Sequence, residues 1–128
     1  METKANNGTV LVVEDEALLN WDVSAVLRED GFEALQAYSA EEALKILSGR
    51  NSVRVLFTDI NLPGKDGIEL AAEVSARWPQ IEVLMTSGRH LGLETHPLVG
   101  VYGRFVPKPY PPKAVARRIH EIIDSRAA

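Results

Sequence analysis

Four short apolar runs rich in β-branched residues, at positions 10–13, 53–58, 81–85 and 101–106, recur along the chain, and the stretches between them carry helical spacing. Runs this short and this apolar read as strands buried on both faces. Residues 33–38 form a weaker fifth candidate. Leu19, Val23, Val26 and Leu27 fall at i, i+4, i+7 and i+8, and Gly31 supplies a stop. Ser39, followed three residues later by Glu42, reads as a capping box that opens a helix through Ala43, Leu44 and Leu47 and closes it at Gly49. A third helix is predicted from Ile68 to Trp78, ended by Pro79. The last begins after Pro111 and Pro112 and places Val115, Ile119, Ile122 and Ile123 on one face. Strand and helix thus alternate five times, which predicts an α/β fold with right-handed crossovers and a parallel sheet covered on both sides. Residues 88–103, with four glycines and Pro97, resist the pattern where a fourth helix belongs. A short, distorted or mobile element is expected there.

The 128 residues allow one domain, spanning residues 1–128 with a polar lead-in over residues 1–8. Its 45% apolar and 25% charged composition is that of an ordinary globular chain. No apolar run approaches the roughly 20 residues of a bilayer span, so no membrane partner is expected. The opening METKANNGT lacks the apolar segment of a secretory signal, and a cytoplasmic location is the default. The absence of cysteine removes disulfides and thiolate metal sites. A net charge of −4, with basic residues scattered, argues against direct nucleic-acid binding.

The chemistry gathers where the strands end. VLFTDINLPGKDG delivers Asp59 from an apolar run straight into a loop of Asn61, Pro63, Gly64 and Gly67. A carboxylate inside a buried strand is costly, so Asp59 is expected at the strand's carboxyl end, where it meets water. Ligands of open parallel sheets bind at that edge. There the first strand brings Glu14, Asp15 and Glu16, the fourth Thr86 and Ser87, and the fifth Lys108. Carboxylates at about 4 Å repel by about 4 kcal/mol per pair at an effective dielectric of about 20. Lys108 offsets one charge, and a divalent cation would leave the Glu14, Asp15 and Asp59 cluster near neutrality. An all-oxygen site with few protein ligands suits Mg2+, with Pro63 and Gly64 turning the Asn61 carbonyl back toward the metal. Asp59 is the candidate nucleophile for phosphoryl transfer, Lys108 a point charge for a phosphoryl oxygen, and Ser87, favoured over Thr86, its hydroxyl donor.

VLVVEDE, TDINLPGKDG, LMTSG and FVPKPY, in this order and at these separations, resemble the receiver domain of two-component response regulators across essentially the whole chain. The resemblance implies a flavodoxin-like, five-stranded doubly wound parallel sheet of order 2-1-3-4-5. It implies that Asp59 takes phosphate from a sensor histidine kinase or histidine phosphotransfer protein and that phosphorylation switches binding of an unknown downstream protein. Glu14 and Asp15 match the acidic pair, Asn61 the backbone-carbonyl ligand and Lys108 the motif lysine. Ser87 matches the switch hydroxyl and Phe105 the switch aromatic, although Phe105 alone reads as core packing. Pro109 matches a proline preceded by a cis peptide bond. Ala128 follows soon after the last helix, so no output domain is expected in the chain.

Glu14 stands where aspartate is commoner, and its longer side chain can reach the cation through water. Pro107 lacks a ladder donor, which suits an edge strand. The glycine-rich segment puts the family's usual reporting and dimerising surface in doubt, and Arg89 lies where the family tunes dephosphorylation. Leu18, Trp21 and Ala25 form a second apolar stripe on the first helix. Trp21 either contacts the kinase or folds back over a neighbouring helix. His90, His96 and His120 have no acidic or histidine partner at ligand spacing and are assigned to surface or loop. The competing functions are a phosphorylation-independent adaptor, a small Mg2+-dependent aspartyl-phosphate phosphatase and a flavodoxin-like cofactor binder. The order of motifs opposes the phosphatase, and the acidic EDEALL opposes phosphate cradling after the first strand.

Overall fold

The computed structural model describes residues 7–49, 52–88 and 103–127. Five strands, β1 (Thr9–Val13), β2 (Glu33–Ala37), β3 (Val53–Asp59), β4 (Glu82–Ser87) and β5 (Arg104–Pro107), form one parallel sheet of order β2-β1-β3-β4-β5. The helices are α1 (Ala17–Glu29), α2 (Ala40–Gly49), α3 (Gly67–Arg77) and α4 (Pro112–Ala127). All five predicted strands are present, including the weak β2. The expected fourth helix, with Arg89, His90, His96 and the start of the fifth apolar run, falls at residues 89–102, outside the described residues.

Two-residue alternation splits each central strand between two cores. Leu11, Val13, Leu56, Val83 and Met85 pack with Ala43, Leu47, Leu70 and Val74 of α2 and α3. Val10, Val12, Val55, Phe57 and Leu84 pack with Val23, Leu27, Val115, Ile119 and Ile122 of α1 and α4. Burial on both faces is why these strands read as continuous apolar runs. Leaving β1, the chain first adds β2 on one side and then β3, β4 and β5 on the other, so the topological switch lies between β1 and β3. Pro107 sits on the edge strand β5, where a missing N–H costs the ladder little.

The helix ends refine the sequence reading. At α1 the N–H of Gly31, at φ 90°, donates to the Arg28 carbonyl and closes the helix as expected. The Ser39 hydroxyl accepts from the Glu42 N–H, but the Glu42 carboxylate reaches back to the Tyr38 N–H rather than to Ser39. α3 starts one residue earlier than predicted because Asp66 and Glu69 form a full reciprocal capping box, and Trp78 caps its far end.

Candidate functional site

β1 and β3 lie side by side in register, Val13 opposite Thr58, so their next residues meet at the carboxyl edge on either side of the switch point. Glu14, Asp15 and Asp59 each offer a carboxylate oxygen there, all within 4.8 Å of one another. Asp59 is the last residue of β3 and is only 4% exposed, which corrects the expectation that it meets water. A lysine from another segment and an N–H of its own loop take the place of solvent. Lys108 Nζ donates to Asp59 Oδ2 at 2.9 Å, and the Asn61 N–H donates to Oδ1 at 3.0 Å.

Lys108 also lies 3.0 Å from Glu14 Oε1 and so stands between two buried carboxylates. Glu14 Oε2 accepts the Glu16 N–H at 3.0 Å. The contact at Oε1 is an ion pair too skewed for a directed hydrogen bond, and this buried oxygen keeps lone pairs unclaimed. Burial pushes the Glu14 carboxyl above its ordinary value, against the Glu16 N–H and Lys108, which pull it down, while the charge of Asp59 pushes it further up. For Lys108 burial acts to lower the pKa, but the hydrogen bond it donates to Asp59 and the negative charges of Asp59 and Glu14 outweigh it, and the net shift is upward. Glu14 is therefore buried at the end of β1, whereas Asp15 and Glu16 are exposed.

Three hard oxygen donors with one unclaimed buried lone pair, and a single lysine against three negative charges, fit a divalent cation that prefers oxygen, as Mg2+ does. The loop after Asp59 shapes the rest of the site. The Gly67 N–H donates to the Ile60 carbonyl at 2.8 Å, and a Cβ on Gly67 would stand 2.2 Å from the Asp59 carbonyl oxygen, so only glycine lets the loop return this closely.

Of the two candidate hydroxyls, Thr86 is fully buried with Oγ1 unpartnered, whereas Ser87 Oγ donates to Asn61 Oδ1 at 2.5 Å. Phe105 is half-buried against the α2 and α3 core. The Lys108–Pro109 peptide is cis, as expected. Leu18 and Trp21 are 78% and 60% exposed, so Trp21 does not fold back over a neighbour; Ala25 is half-buried. Leu19, Lys108, Pro109 and Tyr110 line a hollow of about 160 Å³. His120 is at the surface, on α4, with its ring tilted against Phe32 at a centroid distance of 4.9 Å and its Nε2 3.2 Å from the carboxylate of Asp30, a partner 90 residues away that sequence spacing does not show. Sequence reasoning missed Asn20, a fully buried amide inside the apolar face of α1, because periodicity counts apolar positions and passes over a polar one among them.

A family model described as the response regulator receiver domain matches residues 10–120. The transcriptional regulatory protein AruR of Pseudomonas aeruginosa is 31% identical over an alignment 121 residues long that covers 89% of this chain and 48% of AruR, so the chain spans about half that relative's length. A response regulator receiver domain protein from Clostridium thermocellum superposes with a TM-score of 0.84 at 27% identity, over 94% of this chain and 97% of that one. The receiver domain of the hybrid histidine kinase CckA superposes at 0.73 with 31% identity, over 89% of this chain and 97% of its own.

Proposed function

The chain belongs to the response regulator receiver family, and on that basis we propose that Asp59 is its phosphoacceptor, charged by a phosphohistidine on a sensor kinase or a histidine phosphotransfer protein. The observation that carries this reading is the Lys108 ammonium between two buried carboxylates, one of them at the tip of the central strand.

In the proposed step an Asp59 carboxylate oxygen attacks phosphorus, the O–P bond forms as the N–P bond breaks, and the imidazole nitrogen leaves with the electron pair. Phosphoryl transfer asks a protein mainly for positioning and charge neutralisation. The rigid end of β3 and the Asn61 N–H hold the acceptor in place. Lys108, already beside Asp59 Oδ2, is placed to follow the incoming phosphoryl oxygens. Glu14, Asp15, Asp59 and the Asn61 carbonyl would hold Mg2+, which when bound neutralises phosphoryl charge. Ser87 would exchange Asn61 for a phosphoryl oxygen, and Phe105, opposite Met85 on the neighbouring strand, would repack, giving two conformations between which a downstream protein selects.

Leu18 and Trp21, large apolar side chains left exposed on α1, supply the docking surface for the phosphohistidine-bearing partner. A folded Trp21→Ala variant is expected to accept phosphate from that partner about tenfold more slowly; an unchanged transfer rate would end the docking assignment.

The acceptor itself is tested by incubating the protein with acetyl phosphate and Mg2+ and measuring intact mass. Wild type should gain one phosphoryl group and Asp59→Asn none. Equal labelling of the two proteins would remove Asp59 from its role.

A further inference from the structure

Asn20 lies one turn into α1 with no exposed surface, surrounded by the apolar residues that pack α1 onto the sheet. A buried carboxamide is tolerated when its donors and acceptor are all used, and here they are. Its Nδ2 group donates to the Ala37 carbonyl at 3.0 Å and the Glu14 carbonyl at 3.1 Å, with a longer contact of 3.5 Å to the Val12 carbonyl. Its Oδ1 accepts from Gln36 Nε2 at 2.9 Å and Ser24 Oγ at 3.3 Å. Gln36 and Ser24 thus fix which way the amide points, and its N–H groups can face only the carboxyl ends of β1 and β2.

The Glu14 carbonyl belongs to the peptide that joins the two acidic residues. We propose that Asn20 is a positioning residue for the acidic pair, clamping the Glu14 carbonyl so that the Glu14 and Asp15 carboxylates are aimed at the cation site. The inference rests on the receiver reading above. A purely structural Asn20 would anchor α1 to the sheet and affect stability alone.

The test is a Mg2+ titration of the full chain, followed by amide shifts at Asp15 and Asp59 and paired with thermal melts in chelator. Asn20→Ala is expected to bind Mg2+ about tenfold more weakly, the scale of an outer-shell partner lost. Its labelling by acetyl phosphate should recover at saturating Mg2+. Ser24→Ala, which touches only the far end of the amide, should lower the melting temperature without moving Mg2+ affinity. If Asn20→Ala fails to fold, Asn20→Ser, which keeps a short donor in the space, carries the same comparison. Wild-type Mg2+ affinity in a folded Asn20 variant, or an equal loss in Ser24→Ala, overturns the proposal. A wild-type protein that binds no Mg2+ overturns the receiver reading with it.

Discussion

Lys108 stands between Glu14 and Asp59 with its side chain 20% exposed, while Lys65 meets Glu73 at 2.7 Å on the outer face of α3, where the lysine is 34% exposed and Arg77 shares the same carboxylate. Both ammonium groups hold their protons more tightly than a free lysine. At Lys65 the bond to Glu73 leads that shift. At Lys108 burial opposes it, and two carboxylates together prevail. Water screens the surface group, so the two ends of that pair would be solvated adequately apart. At the sheet edge the lysine takes the place of solvent for two buried carboxylates, and removing it would leave both of them uncompensated.

The sharpest way to break this contrast is Lys108→Ala. Two buried carboxylates lose their counter-charge, and the unfolding free energy in chelator is expected to fall by about 3 kcal/mol. Added Mg2+ should restore part of that loss by supplying positive charge to the same oxygens, as read by denaturant melts with and without the ion.

Glu14→Gln tests the other side of the cluster with a smaller effect of opposite sign. Burial raises the folded-state pKa of Glu14 above its ordinary value of 4.5, so the ionised carboxylate is a net cost to the folded chain at neutral pH. The folded state binds that proton more tightly than the unfolded state, so the site's contribution to stability is present at low pH and lost as pH rises through the raised value. In chelator at pH 7 Glu14→Gln should therefore be more stable than wild type, as read by denaturant melts. The gap should close as pH is lowered toward 4.5, where the protonated carboxyl resembles the amide. A gap that widens on acidification would reverse the assignment of cost. The same variant should bind Mg2+ more weakly.

Lys65→Ala is the smallest effect. Its melting temperature should match wild type within measurement error, at low and high salt alike. A clear loss would mean that the α3 network braces the loop carrying Asn61, and the contrast between the two lysines would narrow.

Much of this molecule is legible in one dimension. Apolar runs marked all five strands, and reading what each delivers at its carboxyl end brought Glu14, Asp15, Asp59, Ser87 and Lys108 to one edge. The capping box of α3 was passed over, although Asp66 and Glu69 have the same spacing as Ser39 and Glu42. The burial of Asp59 was not. A carboxylate at a strand end is expected in water, and the group that replaces water is 49 residues further along the chain. Asn20 was hidden for a related reason, since its partners Glu14, Gln36 and Ala37 come from the ends of two strands.

By itself the sequence determined the order of strands and helices and which strand tips bear acid, because burial periodicity and turn chemistry act over a few neighbouring residues. Only the tertiary structure decided that one ammonium serves two carboxylates, that Ser87 is held by Asn61 and that Trp21 faces outward. Coulombic and hydrogen-bond partnerships depend on ångström separations between segments, and those separations exist only once the sheet has closed and its two cores have packed.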